Sequence, residues 1–377
     1  MNIQTLQLIQ YSLFGGAVPD IRDWDIVLRE LEQQALLPLV ETKGLLIPES
    51  AEQKLTQARY GNRRKFIRHS MALAELNELF GKPVIFKGFS AAQYYPVPAN
   101  RTIGDLDFMV PGADFKLCQQ KLLDNGFQQS DIPVTDRHPR HIAFDKGTVH
   151  FELHSYFTKP TSEGKRRLDK RIETTEPVEV SLDGTRFYSM PEPVNGLILL
   201  EHLDHHRHDG LGMRQMLDWV CYVNRWLTDE RWENELRLPA QDASLEALAV
   251  YATAFGEKYL GLSHRRFTEG AEERICELLL EEISDCGNFG RVRREDKVLG
   301  GAVRFREDGH PFRRLQGGGL YNWTYAHHHP WARPFAWLYQ IFHILGILLH
   351  SNNTARRLSD SRQVSARLRE IDRALEQ

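Results

Sequence analysis

Apolar residues recur at helical spacing in the first fifth of the chain, alternate with polar ones in the middle, and return to helical spacing afterwards. Ile3, Leu6, Leu8, Ile9 and Leu13 predict a short amphipathic helix. Residues 22–80 keep a helical period, with Trp24, Ile26, Val27, Leu28 and Leu31 in one stripe and Leu73, Leu76, Leu79 and Phe80 in another. The texture then changes. Val84-Ile85-Phe86, bounded by Lys82-Pro83 and Lys87-Gly88, reads as a buried strand, and Ser90 as the cap of a short helix through Ala91, Ala92 and Tyr94. A second strand is expected over 103–110. A helix over 113–125 follows, with Phe115, Leu117, Leu122 and Leu123 inward and Gly126 as its stop. Strand-like runs at 141–144 and 149–157 flank the turn Asp145-Lys146-Gly147, and Asp183-Gly184 marks a further hairpin. Two helices, over 192–206 and 212–228, are separated by Asp209-Gly210. This order predicts an α+β fold: a mixed sheet with flanking helices over 81–190, a helical N-terminal segment over 1–80 and a helical C-terminal domain over 191–377.

Composition narrows the picture. With 41% hydrophobic and 26% charged residues among 377, the chain is ordinary globular material and neither disordered nor fibrous. A net charge of -3 supplies no global field for DNA or RNA, so nucleic acid is disfavoured as a partner while a local basic face stays open. Cys118, Cys221, Cys276 and Cys286 lack zinc-ligand spacing, which predicts reduced thiols and a cytoplasmic setting. The N-terminus shows no secretory signal pattern. Residues 334–349 are apolar but interrupted by Gln340 and His343, and fall short of the roughly 20 residues a membrane span needs. A helix buried in a domain core is expected there. Docking to a membrane surface or a partner is the alternative, given the arginine-rich segment that follows.

The chemistry concentrates in Ile103-Gly104-Asp105-Leu106-Asp107-Phe108-Met109-Val110. Aspartate is depleted in strands, yet two stand here in an apolar run. A spacing of two in a strand puts both carboxylates on one face, about 6 to 7 Å apart. At that distance they repel by roughly 3 kcal/mol at an effective dielectric near 20, a cost that a hard divalent cation offsets. In Val149-His150-Phe151-Glu152-Leu153-His154, alternation turns His150, Glu152 and His154 to one face. If that strand lies beside the aspartates, Glu152 joins Asp105 and Asp107. Three carboxylates hold two metal ions for in-line displacement at phosphorus, with magnesium expected and manganese the alternative. Lys87, Gly88 and Ser90 offer charge, close backbone approach and a hydroxyl to a triphosphate. Arg101 reads as a phosphate clamp or a surface ion pair.

KGFSAAQYY, RTIGDLDFMV and HFELHSYF together resemble the polymerase β type nucleotidyltransferase superfamily. More closely, they resemble a bacterial family of uncharacterised nucleotidyltransferases. The resemblance implies a nucleotidyltransferase-like sheet, catalytic and metal-binding roles for Asp105, Asp107 and Glu152, and a phosphate turn at Gly88 and Ser90. It departs at Phe89, which separates a glycine and a serine that the superfamily usually keeps adjacent. The implied reaction moves a nucleoside monophosphate from an NTP to an acceptor hydroxyl or phosphate, releasing pyrophosphate. A degenerate member that binds nucleotide or a partner without turnover is the alternative.

His154 is expected to orient a neighbour rather than bind metal. His202, His206 and Asp209 share a helical face, which fits the acceptor side of the cleft and, alternatively, a histidine-rich metal hydrolase. Arg214 and Asp218, four apart, read as a structural pair.

Overall fold

The computed structural model describes residues 1–130, 140–158, 162–207, 210–287, 329–350 and 354–375, with isolated positions between 312 and 326. His208, Asp209, His327, His328 and residues 288–290 lie outside them. Helix α1 (Ile3–Phe14) is capped by the Asn2 side chain, and α2 (Trp24–Gln33) by Asp23, which accepts from the Ile26 amide. The expected continuous helical stretch is broken between 34 and 48, where only the short turn Leu37–Leu39 is helical, as Pro38 and Pro48 require. The long helix α3 (Glu49–Phe80) contains the predicted stripe of Leu73 and Leu76 and ends at Gly81, whose φ of 78° suits glycine alone.

The strands are β1 (Val84–Phe86), β2 (Leu106–Met109), β3 (Gln128–Gln129), β4 (His141–Lys146), β5 (Val149–His154), β6 (Val178–Leu182) and β7 (Thr185–Ser189). They form one mixed sheet in the order β3-β4-β5-β2-β1-β7-β6. Strand β2 runs antiparallel to β1 and parallel to β5. The turns at Gly147 and at Asp183-Gly184 close the two hairpins where expected. The fold is therefore α+β, with α4 (Gly88–Ala92), α5 (Phe115–Asp124), α6 (Glu163–Thr174), α7 (Val194–Arg207) and α8 (Met213–Arg225) around the sheet.

Register separates the two faces. Leu106 pairs with Phe151 and Phe108 with Leu153, and all four are buried in one apolar cluster with Phe66, Leu73 and Leu76 of α3. Burying side chains of this size stabilises by about 1.5–3 kcal/mol each, which leaves the intervening Asp107 and Glu152 to the opposite face. A second cluster joins α1 and α2 to α7, α8 and the helices Glu246–Leu260 and Glu273–Cys286.

Three expectations are corrected. The second strand spans 106–109, so Asp105 immediately precedes it. In α5 the buried stripe is Cys118 and Leu122, four apart, while Leu117 is 71% exposed and Leu123 38%. Among the described side chains of the apolar helix Ala336–His350, which was expected inside a core, Ala336 and Gln340 are buried but Phe342 is 69% exposed and Leu345 46%. No helix among the described residues is long and apolar enough to cross a membrane. All four cysteines are free and buried.

Candidate active site

A cleft of about 460 Å³ opens between the polar face of the sheet and helices α7 and α8. Lys87, Gly88, Arg101, Asp105, Asp107, Glu152, His154, His202 and His206 all line it. Ser90 alone among the sequence-predicted residues is elsewhere.

At its centre the parallel β2–β5 pair sets Asp107 directly beside Glu152. The Lys87 ammonium donates to Asp107 Oδ1 at 2.6 Å, and His154 Nε2 donates to the same oxygen at 3.0 Å. Burial would raise the Asp107 carboxyl, but the Lys87 charge and the His154 hydrogen bond outweigh it and hold the group well below the usual carboxylate range. Asp105 behaves oppositely. Desolvation at the cleft mouth, then the charges on Glu152 and Asp107, push it up. His154 also lies 3.4 Å from Glu152 Oε2, and His141 Nε2 is 3.7 Å from Glu152 Oε1. Ligand-capable atoms of His141, Glu152 and His154 fall within 4.8 Å of one another.

The turn that presents Lys87 is unusual. Its φ of 51° and ψ of −129° place a non-glycine residue in a sparsely populated region, a strain of about 1–3 kcal/mol of the kind that gathers at functional sites. Helix α4 begins at Gly88 rather than at Ser90. A Cβ on Gly88 would meet only the Asp105 carbonyl oxygen at 3.7 Å, an ordinary contact, so the protein's own packing does not demand glycine here.

Ser90 sits one turn inside the helix, fully buried. Its hydroxyl donates to Asn195 Oδ1 at 2.8 Å and lies 2.8 Å from Ser189 Oγ. It braces α4 against α7 and β7 and does not reach the cleft. Arg101 lines the cleft but is neither a surface ion pair nor an unengaged clamp. Its guanidinium grips Asp218 side-on, Nε at 2.7 Å and Nη2 at 2.6 Å, with the two side chains 3% and 2% exposed. Tyr95 donates a further hydrogen bond to Asp218 at 2.8 Å. Asp218, expected to pair with Arg214, is thus gripped by Arg101, while its charge also acts on Arg214. The backbone of the segment before β2 is in turn held by Asn62 of α3, whose amide donates to the carbonyls of Ala99 and Arg101.

The helical wall carries His202 and His206, Nε2 to Nε2 at 3.1 Å, and Arg214. Burial, then the charges of His206 and Lys87, pushes His202 well down, so it is neutral at pH 7. Burial and the neighbouring Arg101 bring Arg214 down to about 10. Asp209, the third member of the expected histidine face, lies outside the described residues.

Sequence reasoning missed His141, Lys65 and Arg140 in this cleft, while His205 belongs to the histidine run expected on its acceptor side. For His141 a signal existed: Ile142 and Phe144 alternate inward, and β4 pairs His141 with His154. Lys65 and Arg140 arrive through tertiary packing and leave no local mark.

A mixed sheet, acids on and beside adjacent strands and a cationic turn thus meet at one cleft. The chain belongs to the uncharacterised nucleotidyltransferase family, whose model matches residues 20–261, over half its length and the whole sheet. No match was found among curated proteins or among solved structures.

Proposed function

We propose that the protein transfers a nucleoside monophosphate from an NTP to an acceptor hydroxyl, with divalent metal held by Asp105, Asp107 and Glu152. The observation that carries this reading is the β2–β5 register, which pairs Asp107 with Glu152 beneath the Lys87 turn. Three carboxylates are the oxygen donors a hard cation prefers, although the ligand atoms that already lie within 4.8 Å of one another are those of His141, Glu152 and His154. Asp105 is raised partly by the negative charge of Glu152 and Asp107, and a divalent cation is the natural relief of that repulsion. A magnesium or manganese ion, when bound, would neutralise triphosphate charge and acidify the acceptor hydroxyl.

The chain's own groups divide the remaining work. Lys87 moves from Asp107 to a phosphate oxygen, and Gly88 allows close approach of the backbone. His154 keeps Asp107 oriented, and Glu152 takes the acceptor proton if the hydroxyl comes within hydrogen-bond reach. The acceptor oxygen forms a bond to the α-phosphorus as the bond to the bridging oxygen breaks, and pyrophosphate leaves. The buried Arg214 sits where the helical wall meets the phosphates.

Calorimetry with NTP and magnesium tests this on the wild type and on Asp105→Asn/Asp107→Asn. Magnesium-dependent binding lost in the double variant supports the reading; a well-folded wild type that binds no NTP overturns it. The Lys87–Asp107 ion pair favours a second reading, a nucleotide-binding protein without turnover. Pyrophosphate release with an acceptor-containing extract would exclude that one.

A further inference from the structure

Between Glu52 and Glu75, helix α3 carries Lys54, Arg59, Arg63, Arg64, Lys65 and Arg68 and no acidic residue, in a chain whose net charge is -3. These cations are not equivalent. Lys54 pairs with Glu32 at 2.7 Å, Arg63 reaches Asp183 at 3.5 Å, and Arg59 donates to Thr42. Among the described residues no carboxylate lies within ion-pair distance of Arg64, Lys65 or Arg68. Arg68 donates to the Thr148 hydroxyl at 2.7 Å and the Arg64 guanidinium lies over the Tyr60 ring, so both side chains are positioned without being neutralised.

These three cations line a groove of about 420 Å³ together with Gln57, Asn62 and Thr102. Lys65 and Thr102 also line the catalytic cleft, so the two spaces adjoin. Two guanidiniums and an ammonium around one concavity match the geometry and charge of a phosphate group. Like charges left together without counter-ions destabilise a fold unless something anionic binds them. Beyond the groove Lys54 and Arg63 are paired with carboxylates and Arg59 turns to the Thr42 hydroxyl, so the charge that converges on one concavity is that of Arg64, Lys65 and Arg68, a patch suited to one phosphate-bearing group rather than an extended polyanion.

We propose that this groove seats the acceptor's phosphate, which makes the acceptor a phosphate-bearing small molecule of about nucleotide size, its hydroxyl entering the cleft past Lys65 and Thr102. The proposal rests on the transferase reading of that cleft.

Pyridoxal 5′-phosphate tests it, because the aldehyde forms an imine with a lysine amine that borohydride fixes for peptide mapping. A non-hydrolysable ATP analogue with magnesium fills the cleft and shields Lys87. Labelling of Lys65 is expected to be about tenfold faster with pyridoxal 5′-phosphate than with pyridoxal, and to be suppressed by inorganic phosphate. In Arg64→Gln/Arg68→Gln the rate is expected to fall to the pyridoxal level, with NTP binding kept within about twofold. Equal rates for the two aldehydes in the wild type would overturn the groove while leaving the nucleotide site intact. Loss of NTP binding with phosphate-dependent labelling preserved would instead sink the transferase reading and the acceptor role with it. Protection of Lys65 by a single-stranded oligonucleotide where AMP gives none would overturn the small acceptor in favour of a nucleic acid.

Discussion

The two walls of the cleft are built on opposite electrostatic plans. On the strand wall, Lys87, Asp107 and His154 interlock within 3.0 Å, and Asp107 stays ionised because its partners outweigh burial. On the helical wall, burial wins. His202 is driven neutral and Arg214 is weakened to about 10. Ion-paired charge therefore resides on the strands, where pairing sustains it, whereas the helical wall sets a neutral His202 beside Arg214, which at about 10 is weakened but still cationic at pH 7. Such a division suits the transfer proposed above, in which metal and triphosphate would be gripped on one side and an acceptor oriented on the other.

That contrast can be broken in four ways. Asp107→Asn should lower nucleotidyl transfer on the order of a thousandfold, measured with labelled NTP. A loss below about tenfold would show that fixed charge on the strands is not decisive. Arg101→Met strands the Asp218 carboxylate in the interior and should cost about 3–5 kcal/mol in urea unfolding, most of it recovered in Arg101→Met/Asp218→Leu. Were stability unchanged and NTP affinity lost, Arg101 would belong with the phosphate-binding groups instead.

The third concerns Glu192, which precedes α7 and accepts from Tyr94. Burial pushes its carboxyl from the ordinary 4.5 up to about 7. Between those values the native state holds more protons than the unfolded one, so stability falls as pH rises through the window. Glu192→Gln should flatten that slope and gain about 2 kcal/mol at pH 8, by thermal melts across pH. An unchanged slope would place the titration elsewhere. Least in size, His202→Gln should raise the acceptor KM about threefold and leave NTP affinity alone, as removal of one neutral hydrogen bond predicts. A lost nucleotide affinity would move His202 to the charged side.

The strand wall was legible because a period of two is a local property. Asp105-Leu106-Asp107 and His150 through His154 announce which side chains share a face, and apolar neighbours dictate which face is buried. The helical wall was legible only as composition. The run from Glu201 to His206 shows imidazoles, but nothing in it reveals that α7 delivers them opposite Lys87. Ser90 and Arg101 failed for a related reason. Each looked like a ligand donor in one dimension, while its partner stood 105 or 117 positions away. Leu117 shows the same limit in packing, since several stripes satisfied the helical period and the sheet selected one.

The hydrogen bond from Ser90 to Asn195 has a consequence for dissection of the molecule. Ser90 begins its task where a minimal catalytic fragment would lie, and Asn195 stands just past the last strand. A fragment ending at β7 would keep every acid of the site yet leave the Ser90 hydroxyl without its acceptor and Arg101 without its counter-ion. The sheet is thus not an excisable cassette. The helices after it act as a splint for the Lys87-Gly88 turn, and substitutions in α7 or α8 should be felt at the proposed nucleotide site even where they line no part of it.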